Sequence, residues 1–405
     1  MNNHKITFAP LIPLIGGFPL GAELALNVPP SAIYSYKGFE LNDSHYVNYQ
    51  QKIKNRNIPY VSIDDKEDLD PVDIVVCTPP CAGLSSFNSS KNPDSHGPGC
   101  AQNEWMYISI TDAIKKLNAK VILVENAPAL YTKKGKPVAD KIYNIAKENG
   151  YSLTLYKTST IRHGIPQDRR RCFAILWKSK VAPYMNFYNH SYDKFDDYVL
   201  SYKPNGINLD HTNTKILSDS YFRFLSYKFC NLDIRQMVKD SNTKSVLQFV
   251  NNNKLLDEAI DFFKNDGDVK AYDSALYIKN KLSAGGNIWD SSINIYDNNI
   301  GALTGRNMTS VLHPIEDRSL TIGECLYIMS FPIDFELLGG KKNMNHIAQN
   351  VPVHTARDIV LEAKKFILGE LEFSNSDFVK QNNWKEEIDF ESHSEEQIID
   401  LFENQ

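Results

Sequence analysis

Long hydrophobic runs are missing from this chain. Among its 405 residues no stretch of 18 is apolar throughout, and Met1 to Pro10 is too polar for a secretory signal. A membrane span and an exported domain are thereby set aside, and a cytoplasmic protein is expected. Cysteine is scarce as well. The six cysteines, at 77, 81, 100, 172, 230 and 325, form no Cys-x-x-Cys pair and have no histidine at ligand spacing, so neither a zinc site nor a disulfide framework is supported. Positive charge is not in excess either, since the formal net charge is −5. That shortage is local. Residues 373–405 hold nine acidic groups against two lysines, which leaves +2 over 1–372. The objection to a polyanionic partner weakens without becoming support for one.

What is present fits a large globular protein. With 42% hydrophobic and 23% charged residues, 405 residues can bury a sizeable core and predict two or three domains. The first 180 residues alternate between strand and helix patterns. An apolar start runs into Ile15-Gly16-Gly17-Phe18, with a helix pattern from Ala22 and strands at 31–36, 58–63 and 72–77. A strand, glycine turn and helix in that order can bring backbone close to a nucleotide-like ligand, although a tight turn explains two glycines equally well. A polar loop at 88–103, suited to a lid, leads to a helix near 104–118. Lys120 to Asn126 then gives a continuous apolar run ending in a carboxylate and an amide, as in a parallel strand covered on both faces. A helix near 137–149 and strands at 151–158 and 171–177 complete a doubly wound α/β pattern.

Three stretches carry chemistry. Asp73 to Cys77 is a short strand, and Thr78-Pro79-Pro80 delivers Cys81 at its carboxyl end, where open α/β sheets hold their ligands. A thiol on a rigidly held loop is a nucleophile candidate; a small apolar residue at a strand end is the competing account. Glu125 and Asn126 sit at the same end of their own strand. Between the last two strands, Gln167, Arg169 and Arg171 share one face if the segment is extended, able to bind phosphate or orient a carboxylate or base edge. A solvated charge run is the plain alternative.

The α/β rhythm stops near Lys180, and residues 181–312 read as a second domain. Within it, 211–256 carries seven basic residues, among them Arg223, Lys228, Arg235 and Lys239, against three aspartates, with Tyr221, Phe222, Phe224, Tyr227 and Phe229 interleaved. That mix suits contact with a nucleic-acid backbone, and equally an amphipathic helix with a basic face. Residues 314–335 begin a return to the first domain, and a closing helix is expected over 354–369. For the acidic tail at 373–405 a surface helix is favoured over a DNA mimic or a disordered end.

Taken in order, Gly16-Gly17-Phe18, Pro79-Pro80-Cys81, Glu125-Asn126, Gln167-x-Arg169-x-Arg171 and Arg318-x-Leu-Thr-x-x-Glu324 with Phe331-Pro332 are similar to the motifs of the cytosine-5 DNA methyltransferases. The likeness extends to about residue 370, with a variable segment where that family keeps its target-recognition domain. It implies a Rossmann-like, mostly parallel sheet of the class I methyltransferase type over 1–180 and 313–372, a target-recognition domain at 181–312, and an appended acidic tail at 373–405. It also implies that Cys81 adds to carbon 6 of a flipped-out cytosine while Glu125 handles the proton at ring nitrogen 3. Asn126 then helps hold the strand end, and Arg169 and Arg171 position the base and Glu125. The implied donor is S-adenosylmethionine, held by Ile15, Gly16, Gly17, Phe18, Lys37, Ser62, Ile63, Pro79, Met106, Gln349, Asn350 and Val351. Double-stranded DNA is the implied partner, in a bacterial, archaeal or phage-infected cell. The chain is expected to be a monomer, and a companion restriction endonuclease is left open.

The departures from the family pattern cluster. Its first motif, Phe-x-Gly-x-Gly-Gly, reads Ile12-Pro13-Leu14-Ile15-Gly16-Gly17, and the acid expected after the second strand falls at Lys37, with Glu40 three positions late. Ser62-Ile63 stands for Asp-Ile, and Ala348-Gln349-Asn350-Val351-Pro352 for Gly-Asn-x-Val-Pro. Most of these positions belong to the family's methyl-donor pocket, while the residues acting on cytosine are intact. A rebuilt pocket follows, taking S-adenosylmethionine differently or a carboxylated analogue that Lys37 would suit. An RNA-directed enzyme and a non-catalytic DNA-binding relative are the competing functions.

Overall fold

The computed structural model describes residues 5–64, 66, 69–84, 97–286 and 292–390. Two compact units form: Met1–Tyr192 with Met329–Leu338 and Gln349–Gln405, and Asp193–Ile328 with Gly339–Ala348. Arg318 and Glu324 belong to the second.

The first unit is built on nine strands: β1 Phe8–Leu11, β2 Ile33–Ser35, β3 Tyr60–Ser62, β4 Ile74–Cys77, β5 Val121–Asn126, β6 Ser152–Ser159, β7 Arg170–Trp177, β8 Phe378–Asn382 and β9 Glu387–Phe390. They lie in the order β9-β8-β6-β7-β5-β4-β1-β2-β3, and only β7 and β9 run against the rest. Period-2 alternation divides the central strands between two cores. Val75 and Cys77 of β4 and Ile122 and Val124 of β5 face helices Glu104–Lys115 and Lys136–Glu148. Ile74, Val76, Val121 and Leu123 face helices Gly17–Leu26 and Val353–Leu368 instead. By that parity Glu125 and, on β7, Arg171 project on the second of these faces, beside Leu123 and Phe173.

Three expectations need correction. The first helix begins at Gly17 rather than Ala22, because Gly16 at φ 107° supplies the left-handed turn before it. A helix at Glu40–Asn48, unread in the sequence, buries Asp43, His45 and Tyr46, polar or amphipathic side chains that give no apolar stripe. The tail is not a surface helix where it is described. Phe378 and Val379 bury on opposite faces of the sheet beside β6, and β9 closes the edge with exposed Glu387 and Asp389. Residues 391–405, and most of the lid candidate at 88–103, lie outside the described residues.

The second unit is helical in its middle. Helices Ser220–Lys228, Ile234–Asp240, Val246–Asn252, Leu256–Asn265 and Val269–Ser283 enclose a core of Phe224, Leu225, Val238, Val250 and Phe263. Asp219, Asp233, Ser245 and Asp268 cap four of them. Four of the seven basic residues of 211–256 are paired with acidic groups of the same unit. Arg223 pairs with Asp266 and Asp268, Lys228 with Glu258, Arg235 with Asp317 and Lys239 with Asp196, while Tyr221 and Phe224 are buried. Arg318 forks onto Glu324 at 2.8 and 2.7 Å, and Thr321 and Glu324 form a reciprocal capping box that opens helix Ile322–Ile328.

Candidate active site

Cys81 sits four residues past Cys77, the last paired residue of β4, carried there by Thr78-Pro79-Pro80 with Pro79 buried. The turn at Ala82–Leu84 is pinned by Leu84 N–H to the Cys81 carbonyl at 3.1 Å and by Gly97 N–H to the Gly83 carbonyl at 2.6 Å. The thiol is therefore fixed at the carboxyl edge of the sheet and only half-buried.

Glu125, at the end of β5, is 1% exposed. The register pairs Glu125 with Phe173 and Asn126 with Cys172, so Arg171 lies just beyond β5 on the face of Glu125. Arg171 Nε comes 2.7 Å from Glu125 Oε1. Neither atom has a well-directed hydrogen bond, so the contact is an ion pair with spare hydrogen-bonding capacity. Arg169, also 1% exposed, gives Nη2 to the Asn350 carbonyl at 2.9 Å. Arg170, between them, points out to solvent and forks onto Asp168.

The four groups act on one another. Burial first, and the charge of Glu125 second, hold the Cys81 thiol above its ordinary value, with Arg171 and Arg169 opposing the rise. Burial raises the Glu125 carboxyl, and the same two guanidinium groups oppose it. Arg169 loses by burial and by the charge of Arg171, and gains from Glu125 and Cys81. Two guanidinium groups would balance one carboxylate and one thiolate, so ionising either Cys81 or Glu125 lowers the net positive charge of the cluster. Asn126 turns the other way. Its Oδ1 accepts Ala127 N–H at 2.8 Å and its Nδ2 meets Met106 Sδ at 3.0 Å, which fixes the start of the chain after β5.

Beyond β1 the loop holds Ile12 at φ 55° and Leu14 at φ 53°, a left-handed conformation that branched and bulky residues adopt only at a cost of about 1–2 kcal/mol each. Leu14 stands where the family's first glycine falls, so the backbone form survives the loss of the residue that suits it. Asp43 holds it, with Oδ1 accepting Leu14 N–H at 3.2 Å and Oδ2 accepting the Tyr60 hydroxyl at 3.1 Å. A Cβ on Gly17 would overlap the Val351 carbonyl, which makes the second glycine a packing requirement.

The residues expected around a methyl donor divide into buried and exposed sets. Ile15, Phe18, Ile63, Met106 and Val351 are buried, with Phe18 edge-on to Phe173. Lys37 and Gln349 are exposed and Ser62 is half-buried. Lys37 N–H and the Ser62 hydroxyl both bond Asp64 Oδ2, at 2.7 and 3.2 Å, and Gly38 N–H bonds Glu40 Oε2 at 2.9 Å. Two carboxylates thus stand at the carboxyl end of β2 where the sequence shows a lysine. Beside them Tyr36, Phe39 and Trp105 form an aromatic group with ring centroids 5.1 Å apart.

Sequence reasoning missed a buried network behind the arginines. His163 Nδ1 lies 2.8 Å from Asp358 Oδ2 and its Nε2 2.8 Å from the Thr158 hydroxyl, while His190 Nε2 reaches the same Asp358 oxygen at 3.1 Å. It fastens the loop carrying Arg169 to helix Val353–Leu368. Partners 195 positions apart leave no local signal.

A mostly parallel sheet with two reversed strands, and reactive groups gathered at its carboxyl edge, define a Rossmann-like methyltransferase fold. A family model for C-5 cytosine-specific DNA methylase matches residues 6–365, and the chain belongs to that family. Members of such a family use S-adenosylmethionine generally. Over 102 residues the chain is 28% identical to the type II methyltransferase M.AgeI of Thalassovita gelatinovora, a match spanning 25% of this chain and 22% of the relative. The chain therefore aligns with about a fifth of that protein. Two solved structures share the fold: a prophage-encoded E. coli protein assigned as a DNA modification methyltransferase (TM-score 0.54, 15% identity, 90% of this chain and 100% of that one), and the Entamoeba histolytica methyltransferase EhMeth (TM-score 0.52, 14% identity, 90% and 99%). Among the described residues, no helix is long and apolar enough to cross a membrane.

Proposed function

We propose that this chain methylates carbon 5 of cytosine in double-stranded DNA through a covalent Cys81 adduct. The observation that carries this reading is the convergence of Cys81, Glu125, Arg169 and Arg171 at one edge of the sheet. Carbon 5 of cytosine is too weak a nucleophile unaided. Addition of the Cys81 thiolate at carbon 6 moves the ring electrons toward carbon 5, with Glu125 supplying a proton at ring nitrogen 3. Its buried carboxyl is raised by desolvation, which suits a group that must carry that proton. Arg171 orients Glu125, and Arg169 favours the thiolate before attack. S-adenosylmethionine, when bound, supplies an electrophilic methyl group on sulfur. Loss of the carbon-5 proton to a base then returns the electron pair that expels Cys81. A stacked base cannot present carbon 6 to a thiol, so the target is flipped out of the duplex.

The residues at the loop fit that donor. Asp64 and Glu40 offer carboxylates to a ribose in place of the missing acid, and the half-buried rings of Phe39 and Trp105 offer apolar contact to a purine. Two carboxylates beside Lys37 disfavour a carboxylated analogue. The second unit serves target recognition in this reading, and a companion restriction endonuclease is consistent with the type II name of M.AgeI. Mass spectrometry of nucleosides from cellular DNA, with the wild type or Cys81→Ser expressed, tests it. 5-Methylcytosine is expected with the wild type alone; its absence with both, or its appearance in RNA only, contradicts the proposal.

A further inference from the structure

Asn350 touches both halves of the site. It is 1% exposed, and its side-chain Oδ1 accepts the Gly17 N–H at 3.1 Å, at the start of the helix that follows the β1 loop. Its main-chain carbonyl accepts Arg169 Nη2 at 2.9 Å, and Arg169 acts on Cys81 and Glu125. Only a few covalent bonds separate these two acceptors. The residue falls at the variable position of the family's late motif, where no particular side chain is demanded.

We propose that Asn350 is a positioning residue that couples the loop after β1 to the placement of Arg169 beside Cys81. This rests on the methyl-donor reading of that loop. Three contacts make the link stiff. The Val351 carbonyl sits against Gly17 so closely that no side chain fits between, and Val353 N–H is tied to the Met329 carbonyl at 3.0 Å. The His163–Asp358 pair anchors the same helix to the loop of Arg169. When a ligand fixes the loop, the Gly17 N–H holds Asn350, and the carbonyl of Asn350 holds the guanidinium. Coupling of this kind is reciprocal, so the state of Arg169 also bears on affinity at the loop. The bland account is a structural staple that satisfies two buried groups and transmits nothing.

The two accounts differ in a pH profile. Alkylation of Cys81 by iodoacetamide, followed residue by residue by mass spectrometry in the full chain, reports its thiolate. Exposed Cys230, in the second unit, is the internal reference. Adding S-adenosylhomocysteine to the wild type should lower the midpoint for Cys81 by about 0.7 pH unit, equivalent to a five-fold coupling, and leave Cys230 unchanged. In Asn350→Ala the midpoint should start higher and stop responding. Asn350→Asp, which keeps an acceptor for Gly17, should respond again; Asn350→Ser, too short to reach, replaces the alanine variant if that one does not fold. A midpoint in Asn350→Ala or Asn350→Ser that responds as in the wild type, with ligand binding verified by melting temperature, overturns the coupling alone. A change in plateau rate without a midpoint shift, the mark of simple shielding, overturns it too. If S-adenosylhomocysteine leaves the melting temperature of the wild type unchanged, the methyl-donor reading falls and the coupling with it.

Discussion

The edge that carries Cys81 and the loop that follows β1 lie in one unit and answer to different constraints. At the first, each function is a side chain: a thiol, a carboxyl and two guanidinium groups, three of them forced into a largely buried space where no other residue type balances the charges. At the second, the functional surface is mainly backbone, and what matters is its path. Leu14 keeps a left-handed φ of 53° where a glycine is usual, because Asp43 grips its N–H. Chemistry built from side chains resists substitution, whereas geometry built from backbone tolerates it if a neighbour absorbs the strain. That contrast accounts for intact family motifs at the sheet edge beside a divergent loop.

The sharpest way to break the contrast is at Glu125. Glu125→Gln removes the proton carrier while keeping size, and turnover should fall about 10²- to 10³-fold with melting temperature nearly unchanged. A mild effect would place the proton elsewhere. Next comes Gly17→Ala, whose methyl group meets the Val351 carbonyl; urea unfolding should show a loss of about 2–3 kcal/mol.

Asp43→Asn sharpens the comparison through pH. Burial pushes the Asp43 carboxyl up to about 7, against the Tyr60 hydroxyl and the Leu14 N–H that favour its ionised form. The raised value means that the native state prefers the protonated acid. Its contribution is full below about pH 4 and lost as pH rises through about 7. Replacing it by an amide should therefore gain about 2 kcal/mol relative to the wild type between pH 5 and pH 8, read from urea melts at both values. The smallest effect is expected for Leu14→Gly. Relief of backbone strain is offset by lost packing and added chain entropy, leaving stability within about 1 kcal/mol. A large loss would show that the side chain, not the path, is what the loop preserves.

Legibility in the sequence followed the same divide. β4 and β5 announced themselves because strands covered on both faces are continuous apolar runs, and their ends located Cys81 and Glu125. Simple alternation placed Arg169 and Arg171 on one face. Helix Glu40–Asn48 was hidden because it buries a carboxylate, a histidine and a tyrosine, held by hydrogen bonds rather than by an apolar stripe. β8 and β9 were masked by acidic residues that guard a sheet edge and mimic a solvated helix. The lysines and arginines of 211–256 gave a nucleic-acid signal because their acidic partners, such as Asp266, Asp268 and Asp317, lie outside that stretch. Asn350 and His163 depend on partners far along the chain, which no local pattern encodes.

The most direct measurement is capture on a DNA duplex bearing 5-fluorocytosine at the modified site, with S-adenosylmethionine present. Fluorine at carbon 5 blocks the final elimination, so a thiol that has added to carbon 6 cannot leave. A denaturation-resistant complex joined through residue 81, absent in Cys81→Ser, is expected. A wild type that modifies the unsubstituted duplex yet forms no such complex would contradict the covalent role of Cys81.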